Sequence, residues 1–334
     1  KQFLLNPLLC SITPSSFQLL AKMHVLLIRH GQSKNNILEA AHGCGKTFNS
    51  KRSIDPPLSD LGKEQALLLG VHLGGQLHRS RHKVHLFCSS MTRAVQTLMP
   101  LARVLDLKPT VHPSLHEVKG FYDTNGQKVR GPDRAALKAL CPEFNVDAIP
   151  EEGQGDETGS EAWQRATQVV GMLNDWAMTD RYKDQVIIFV SHNDTIALLA
   201  RLLMVPSGQT AVSDTPEGLF PESYWPMNNT GISHFILGIT PKPESYLAKT
   251  WLVYWNRSDH LSEDARSGVN FINSGTFGAA EWARVGPGGS GLMPLFSECP
   301  VILSGTNLRS LTVCVALAGF VAGVGAAFAL SKRR

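Results

Sequence analysis

The chain has 334 residues, 43% hydrophobic and 18% charged, an ordinary balance for a globular protein with a real core. Its net charge of +4 is mild and no dense Lys/Arg run occurs, which argues against a nucleic-acid partner. The six cysteines are scattered, with no CxxC and no Cys/His cluster at zinc spacing. Reduced thiols in a reducing compartment are expected, with no metal and no cofactor.

Residues 1–22 carry no Asp or Glu, two Lys and several Ser/Thr. They read either as part of a targeting presequence or as an extension that forms no structure, because Met23 lies directly before the first apolar strand. The strand, 23–29, ends in Arg29-His30-Gly31. A loop with Pro56-Pro57 follows, and Ser59-Asp60 opens a helix to about Leu77. Val84–Ser90 is a second apolar strand. Residues 91–105 have helical spacing, with Pro100 expected to kink or interrupt them. A third strand is expected over 110–117, ending near Glu117. Residues 120–160 are a polar excursion with a short helix near 133–140, followed by an amphipathic helix from Glu161 to about Met178.

Residues 185–191 are a continuous apolar run, as in a strand covered on both faces, and deliver His192. A helix to Met204 and strands at 230–239 and 247–255 follow. Alternating strands and helices predict an α/β domain over 23–258, a three-layer α/β/α arrangement around a mainly parallel sheet. Residues 259–310, with GPGGSG at 286–291, read as a flexible linker.

Residues 311–330 hold twenty residues without a charge, and 331–334 form a basic tail. About 20 apolar residues span a ~30 Å hydrocarbon core, so a C-terminal transmembrane tail anchor is expected. Gly319 and Gly323 stand at GxxxG spacing, which permits a homodimer. Such an anchor places the folded domain on the cytosolic face, of a mitochondrial, plastid or peroxisomal outer surface rather than the ER.

Apolar strands deliver His30 and His192 at their C-terminal ends, where ligands bind in open α/β sheets. Arg93 follows a third strand end, and Glu117 is expected at a fourth. Alone, each would read as a core or solvated residue. Together they suit a compact, multiply charged anion. Arg29 and Arg93 supply planar donors for phosphate, and backbone N–H groups near Gly31 add to them. A neutral imidazole is a fair nucleophile near pH 7, and Glu117 can protonate a departing alkoxide.

Leu27 to Ser33 (LIRHGQS) with Asn36 resembles the signature of the histidine phosphatase superfamily, phosphoglycerate mutase-like branch. The blocks at 55–66 (DPPLSDLGKEQA) and 89–97 (SSMTRAVQT) resemble further parts of that pattern. So do Leu115-His116-Glu117, Gly159-Ser160-Glu161, Ser191-His192 and 229–233 (NTGIS). The resemblance implies that His30 becomes phosphorylated, that Arg29, Arg93 and His192 hold phosphoryl oxygens, and that Glu117 is general acid, then base. It also implies that Gly31, Gln32, Ser33, Asn36 and Asn193 form the substrate side. Where the family usually has Gly after the second histidine, this chain has Asn193-Asp194. Asn tolerates the left-handed region, and Asp194 would repel phosphate unless it points away.

The expected enzyme is a phosphoric monoester hydrolase acting through phosphohistidine on a phosphorylated small molecule or phosphoprotein. Two alternatives are a phosphoglycerate mutase or bisphosphatase acting on glycolytic phosphosugars, and a catalytically weak, membrane-anchored scaffold that binds phosphoproteins.

Overall fold

The computed structural model describes residues 21–267 apart from 44, 156, 205–224 and 243–244. The chain begins with β1 (Ala21–Arg29), α1 (Lys34–His42), α2 (Lys46–Lys51) and α3 (Asp60–Leu77), then β2 (Val84–Cys88), α4 (Thr92–Leu105) and β3 (Thr110–Val111). A small hairpin, β4 (Phe121–Tyr122) and β5 (Lys128–Val129), precedes α5 (Arg134–Leu140) and α6 (Gly159–Ala177). β6 (Val186–Ser191), α7 (Asn193–Met204), β7 (Ile232–Lys242) and β8 (Ser245–Arg257) complete it.

The main sheet runs β3-β2-β6-β1-β7-β8. Its β3/β2, β2/β6 and β6/β1 pairs are parallel, and β7 and β8 add an antiparallel edge. Alternation along the buried strands splits the core into two layers. Val25, Leu27, Ile187 and Phe189 face α6 and α7, while Leu26, Ile28, Ile188 and Val190 face α3 and α4. Burial on both faces explains why β1 and β6 read as unbroken apolar runs.

Register then sets the site. Arg29 pairs with Ser191 across β1/β6, and Cys88 with Val190 across β2/β6. His30, His192 and Ser89 therefore leave three adjacent strands at the same level.

Several expectations change. The third strand is only Thr110–Val111; after His112 the chain enters a 3₁₀ turn at Pro113–Leu115. Pro113 has no N–H for a ladder, and the His112 side chain accepts from Ser114 N–H instead. Glu117 thus stands on a loop rather than at a strand end. α4 runs through Pro100, against which Gly70 of α3 packs. The fold also continues past 258: the Gln65 side chain donates to the Ala265 carbonyl at 2.8 Å, and Leu261 and Ala265 are buried. The expected linker is thus ordered against the domain as far as Ser267. No helix of the described residues is long and apolar enough to cross a membrane. The segment 311–330 and residues 1–20 lie outside the described residues.

Candidate active site

A cleft of about 220 Å³ opens at the carboxyl end of the sheet. Arg29, His30, Arg93 and Glu117 line it, joined by Ser33, Asn36, Asn193 and Asp194.

His30 is held from three sides. Asn229 Nδ2 donates to its carbonyl at 3.0 Å, and the Thr230 N–H donates to the Arg29 carbonyl at 3.0 Å. The NTG turn thus clamps the Arg29–His30 backbone. His30 Nδ1 lies 2.7 Å from the Gly31 carbonyl, which can only accept, so Nδ1 carries the proton. Arg93 Nε–H donates to His30 Nε2 at 3.1 Å, so Nε2 carries the lone pair. Burial, then the charges of Arg93 and Arg29, push the His30 pKa well below its ordinary value. His30 is thus a neutral imidazole whose free electron pair is at Nε2.

Arg93 sits in the first turn of α4. Asp55 caps that turn by accepting from Thr92 N–H at 3.0 Å, and its Oδ1 lies 3.9 Å from Arg93 Nη1. Thr97, one turn on, accepts the Gly31 N–H at 2.9 Å and donates to the Arg93 carbonyl at 2.6 Å. The SSMTRAVQT block therefore locks the loop after β1 to α4. Arg29 is buried and donates from Nη1 to the Met227 carbonyl at 2.6 Å.

His192 is buried behind the cleft, its ring centroid 5.1 Å from that of His30. Its Nε2 lies 2.8 Å from Ser89 Oγ. Its Nδ1 is buried with no hydrogen-bond partner among the described residues. Burial and then Arg93 lower its pKa well below the ordinary value.

Glu117 Oε1 accepts from Val118 N–H (2.9 Å), Thr195 N–H (3.1 Å) and Thr195 Oγ1 (3.2 Å). Burial first, then the Asp194 carboxylate, raise its pKa to about 7, outweighing those bonds and Arg93. Asp194 lines the cleft, where its charge acts on Glu117. Asn193 donates from Nδ2 to Asp194 Oδ1 at 3.1 Å and accepts the Met227 N–H at 3.0 Å.

Of the expected substrate-side residues, Ser33 and Asn36 form the capping box of α1. Ser33 N–H donates to Asn36 Oδ1 at 3.0 Å, leaving the Asn36 amide as the group it can offer a ligand. Gly31 and Gln32 turn the other way, toward α3. The Gln32 N–H donates to Gln65, and its side chain accepts from Ser59 Oγ at 2.7 Å. A Cβ on Gly62 would lie 2.0 Å from the Gln32 carbonyl, and one on Gly31 2.7 Å from the Gly62 carbonyl. The two glycines let loop and helix cross in contact; the Gly31 N–H is committed to Thr97. Glu161 is the N3 residue of the α6 capping box, paired with Thr158, and does not line the cleft.

Sequence reading missed Arg52, which lines the cleft from the end of α2. It also missed a buried support beneath the Glu117 loop. Glu157 accepts from Arg165 Nε at 2.8 Å and from Lys119 N–H at 3.1 Å, with His116 Nε2 3.5 Å away. Gln154 bridges Ser90 to His116 and Pro113. The only local signal was the clustering of Gln154 and Glu157 just before α6, which is equally common in loops.

Residues 25–212 match the family model of the histidine phosphatase superfamily, branch 1. The chain is 28% identical over 273 residues to fructose-2,6-bisphosphatase TIGAR B of Danio rerio, covering 71% of this chain and 95% of that protein. Among solved structures, it is 22% identical to a mycobacterial glucosyl-3-phosphoglycerate phosphatase in complex with VO3, with a TM-score of 0.42 over 70% of this chain and 99% of that one. It is 17% identical to the ecdysone phosphate phosphatase of Bombix mori in complex with tungstate, with a TM-score of 0.44 over 66% of this chain and 92% of that one.

Proposed function

The chain belongs to the histidine phosphatase superfamily, branch 1, and we propose that it hydrolyses phosphomonoesters through a phosphohistidine at His30. The observation that carries this reading is the double anchoring of His30, Nδ1–H on the Gly31 carbonyl and Nε2 against Arg93. It leaves one nucleophilic electron pair beside two arginines.

The Nε2 pair attacks phosphorus as Arg93 turns its N–H groups to the phosphoryl oxygens, with Arg29 and His192 as further donors. The P–O ester bond breaks, and the protonated Glu117 gives its proton to the leaving alkoxide. Glu117, now a carboxylate, takes a proton from water. That oxygen attacks phosphorus, the P–N bond breaks and its electron pair returns to Nε2. Inorganic phosphate leaves, and atoms and charge balance over the two steps.

The test is to quench the full chain during turnover of a ³²P-labelled ester. Acid-labile, alkali-stable label is expected on the protein and absent in His30→Ala. Full turnover by unlabelled protein would overturn the reading.

A phosphosugar bisphosphatase is the second reading, favoured by the likeness to the fructose-2,6-bisphosphatase of Danio rerio. Comparing release of phosphate from fructose 2,6-bisphosphate with release from phosphopeptides separates the two. We also read 311–330 as the segment that tethers the enzyme to a membrane, on the strength of its twenty uncharged residues. Alkaline carbonate extraction tests this: the full chain should stay with the membrane, and release into the supernatant would refute it.

A further inference from the structure

α3 carries aliphatic side chains on both of its sides. Leu69 and Leu73 are buried in the core layer that includes Leu26 and Ile28. Leu67 and Val71 point to solvent, 58% and 67% exposed, with Leu68 at 37% beside them. Leu67 and Val71 stand four residues apart and so share one face of the helix. The same row continues through Gly75, which has open space around its Cβ position, to Arg79 in the 3₁₀ turn His78–Lys83 that follows α3. That turn holds Arg79, Arg81 and Lys83, the two arginines exposed and Lys83 half-buried. Among the described residues, none of these three side chains forms an ion pair. No Asp or Glu occurs between Glu64 and Asp106, so no carboxylate of this stretch neutralises the turn.

We propose that the outer face of α3 and the basic turn after it form a docking surface for an anionic lipid bilayer. Leu67, Leu68 and Val71 enter the boundary between headgroups and acyl chains, and Arg79, Arg81 and Lys83 meet the negative charges of the headgroups.

A single exposed aliphatic residue needs no explanation, but three adjacent ones beside unpaired cations do. The charge pattern selects the occupant. Nucleic acid would use the cations, but aliphatic side chains offer its bases neither stacking nor hydrogen bonds. A second copy packed antiparallel would bring the turn against the start of α3. There Asp60 is already paired with Lys63 at 2.8 Å, which leaves Glu64 to face three cations. An anionic bilayer answers both features, because apolar burial and attraction of Lys and Arg add at its surface. The turn leads into β2 at the amino end of the sheet, whereas the cleft lies at the carboxyl end. Docking in this way leaves the cleft open to water and to soluble esters. The surface consists of described residues alone, so it depends neither on 311–330 being a tether nor on the chemistry of His30.

The test is photolabelling of the full chain on vesicles that contain a diazirine phospholipid, with the adducts mapped by mass spectrometry. On vesicles of phosphatidylcholine and phosphatidylserine, adducts are expected on Leu67, Leu68 and Val71. Each basic residue at such a surface contributes about fivefold in affinity, so Arg79→Gln with Arg81→Gln should lower those adducts about tenfold or more. Phosphatidylcholine alone should do the same, as should ~1 M salt, where the screening length falls to about 3 Å. The lipid and salt comparisons use the unmodified protein, so they decide the matter without the variant. No adducts within 64–83 on phosphatidylserine vesicles, or equal yields with and without phosphatidylserine, overturn the proposal. Protein–protein cross-links through α3 in place of lipid adducts also overturn it, in favour of a second copy. Adducts at 311–330 alone would support the tether and refute this surface; adducts at 64–83 alone would support the surface and refute the tether.

Discussion

Arg93 Nε and His30 Nε2 are 3.1 Å apart, so the guanidinium proposed to neutralise the phosphoryl group rests on the nucleophile itself. After burial, Arg93 is the largest cause of the low His30 pKa. Removing its charge must therefore raise that pKa toward the ordinary value. Arg93→Gln should lower kcat/KM about 10²–10³-fold, the usual cost of a lost oxyanion donor. It should also move the acid limb of the pH profile upward. NMR titration of the His30 ring measures the same shift directly, and an unmoved His30 would contradict this account.

Glu117 must be protonated to serve as general acid, and its pKa is raised to about 7 by burial and Asp194. The sign follows: kcat/KM should fall as pH rises through about 7. Glu117→Gln should lower kcat about 10²–10⁴-fold and abolish that limb. A basic limb that survives in the Gln variant would assign it to another group.

The same carboxyl affects stability. Its pKa rises from 4.5 unfolded to about 7 folded, so the folded state holds the proton more tightly. That contribution is complete below pH 4.5 and is lost as pH climbs through about 7. The loss is about 3 kcal/mol. Urea unfolding at pH 5 and pH 8 should show Glu117→Gln gaining stability relative to the parent only at the higher pH.

Glu157 behaves in the opposite way. Burial alone would raise its pKa, but hydrogen bonds and charge from Arg165 and His116 hold it at about 2. Its stabilisation is present above pH 4.5 and is lost as pH falls toward 2. Glu157→Ala leaves the Arg165 charge, 11% exposed, without its carboxylate partner. A cost of about 3–5 kcal/mol is expected, measured by denaturant unfolding at pH 7. Because Glu157 also holds the Lys119 N–H two residues past Glu117, kcat should fall as well.

Gly62→Ala places a methyl carbon 2.0 Å from the Gln32 carbonyl, and backbone on both sides cannot yield as a side chain would. Overpacking of this kind costs about 1–3 kcal/mol. Thermal unfolding should register the loss, with phosphoenzyme formation falling alongside because the displaced loop carries His30. Gly75→Ala, in the same helix with open space around its Cβ position, should lack both effects.

The strands that end in Arg29-His30 and in Ser191-His192, the helix begun by Ser59 and the amphipathic helix that carries Arg93 are all legible in the chain's local pattern. Each is a local property, read from an apolar run, a cap or a 3.6-residue period, and each survives folding because burial and hydrogen bonding reward the same pattern. The rest of the site depends on partners distant in the chain. Glu117 lies on a loop because Pro113 ended the third strand, and it faces the cleft because Thr195, 78 residues later, grips its carboxylate. Gly31 and Gln32 look inward because Thr97 and Gln65 take their N–H groups. Arg52 joins the cleft because Tyr122 of the hairpin and Phe48 flank its guanidinium. No pattern in the chain announces such pairings, since they are fixed by where the sheet register carries each segment and not by the residues on either side.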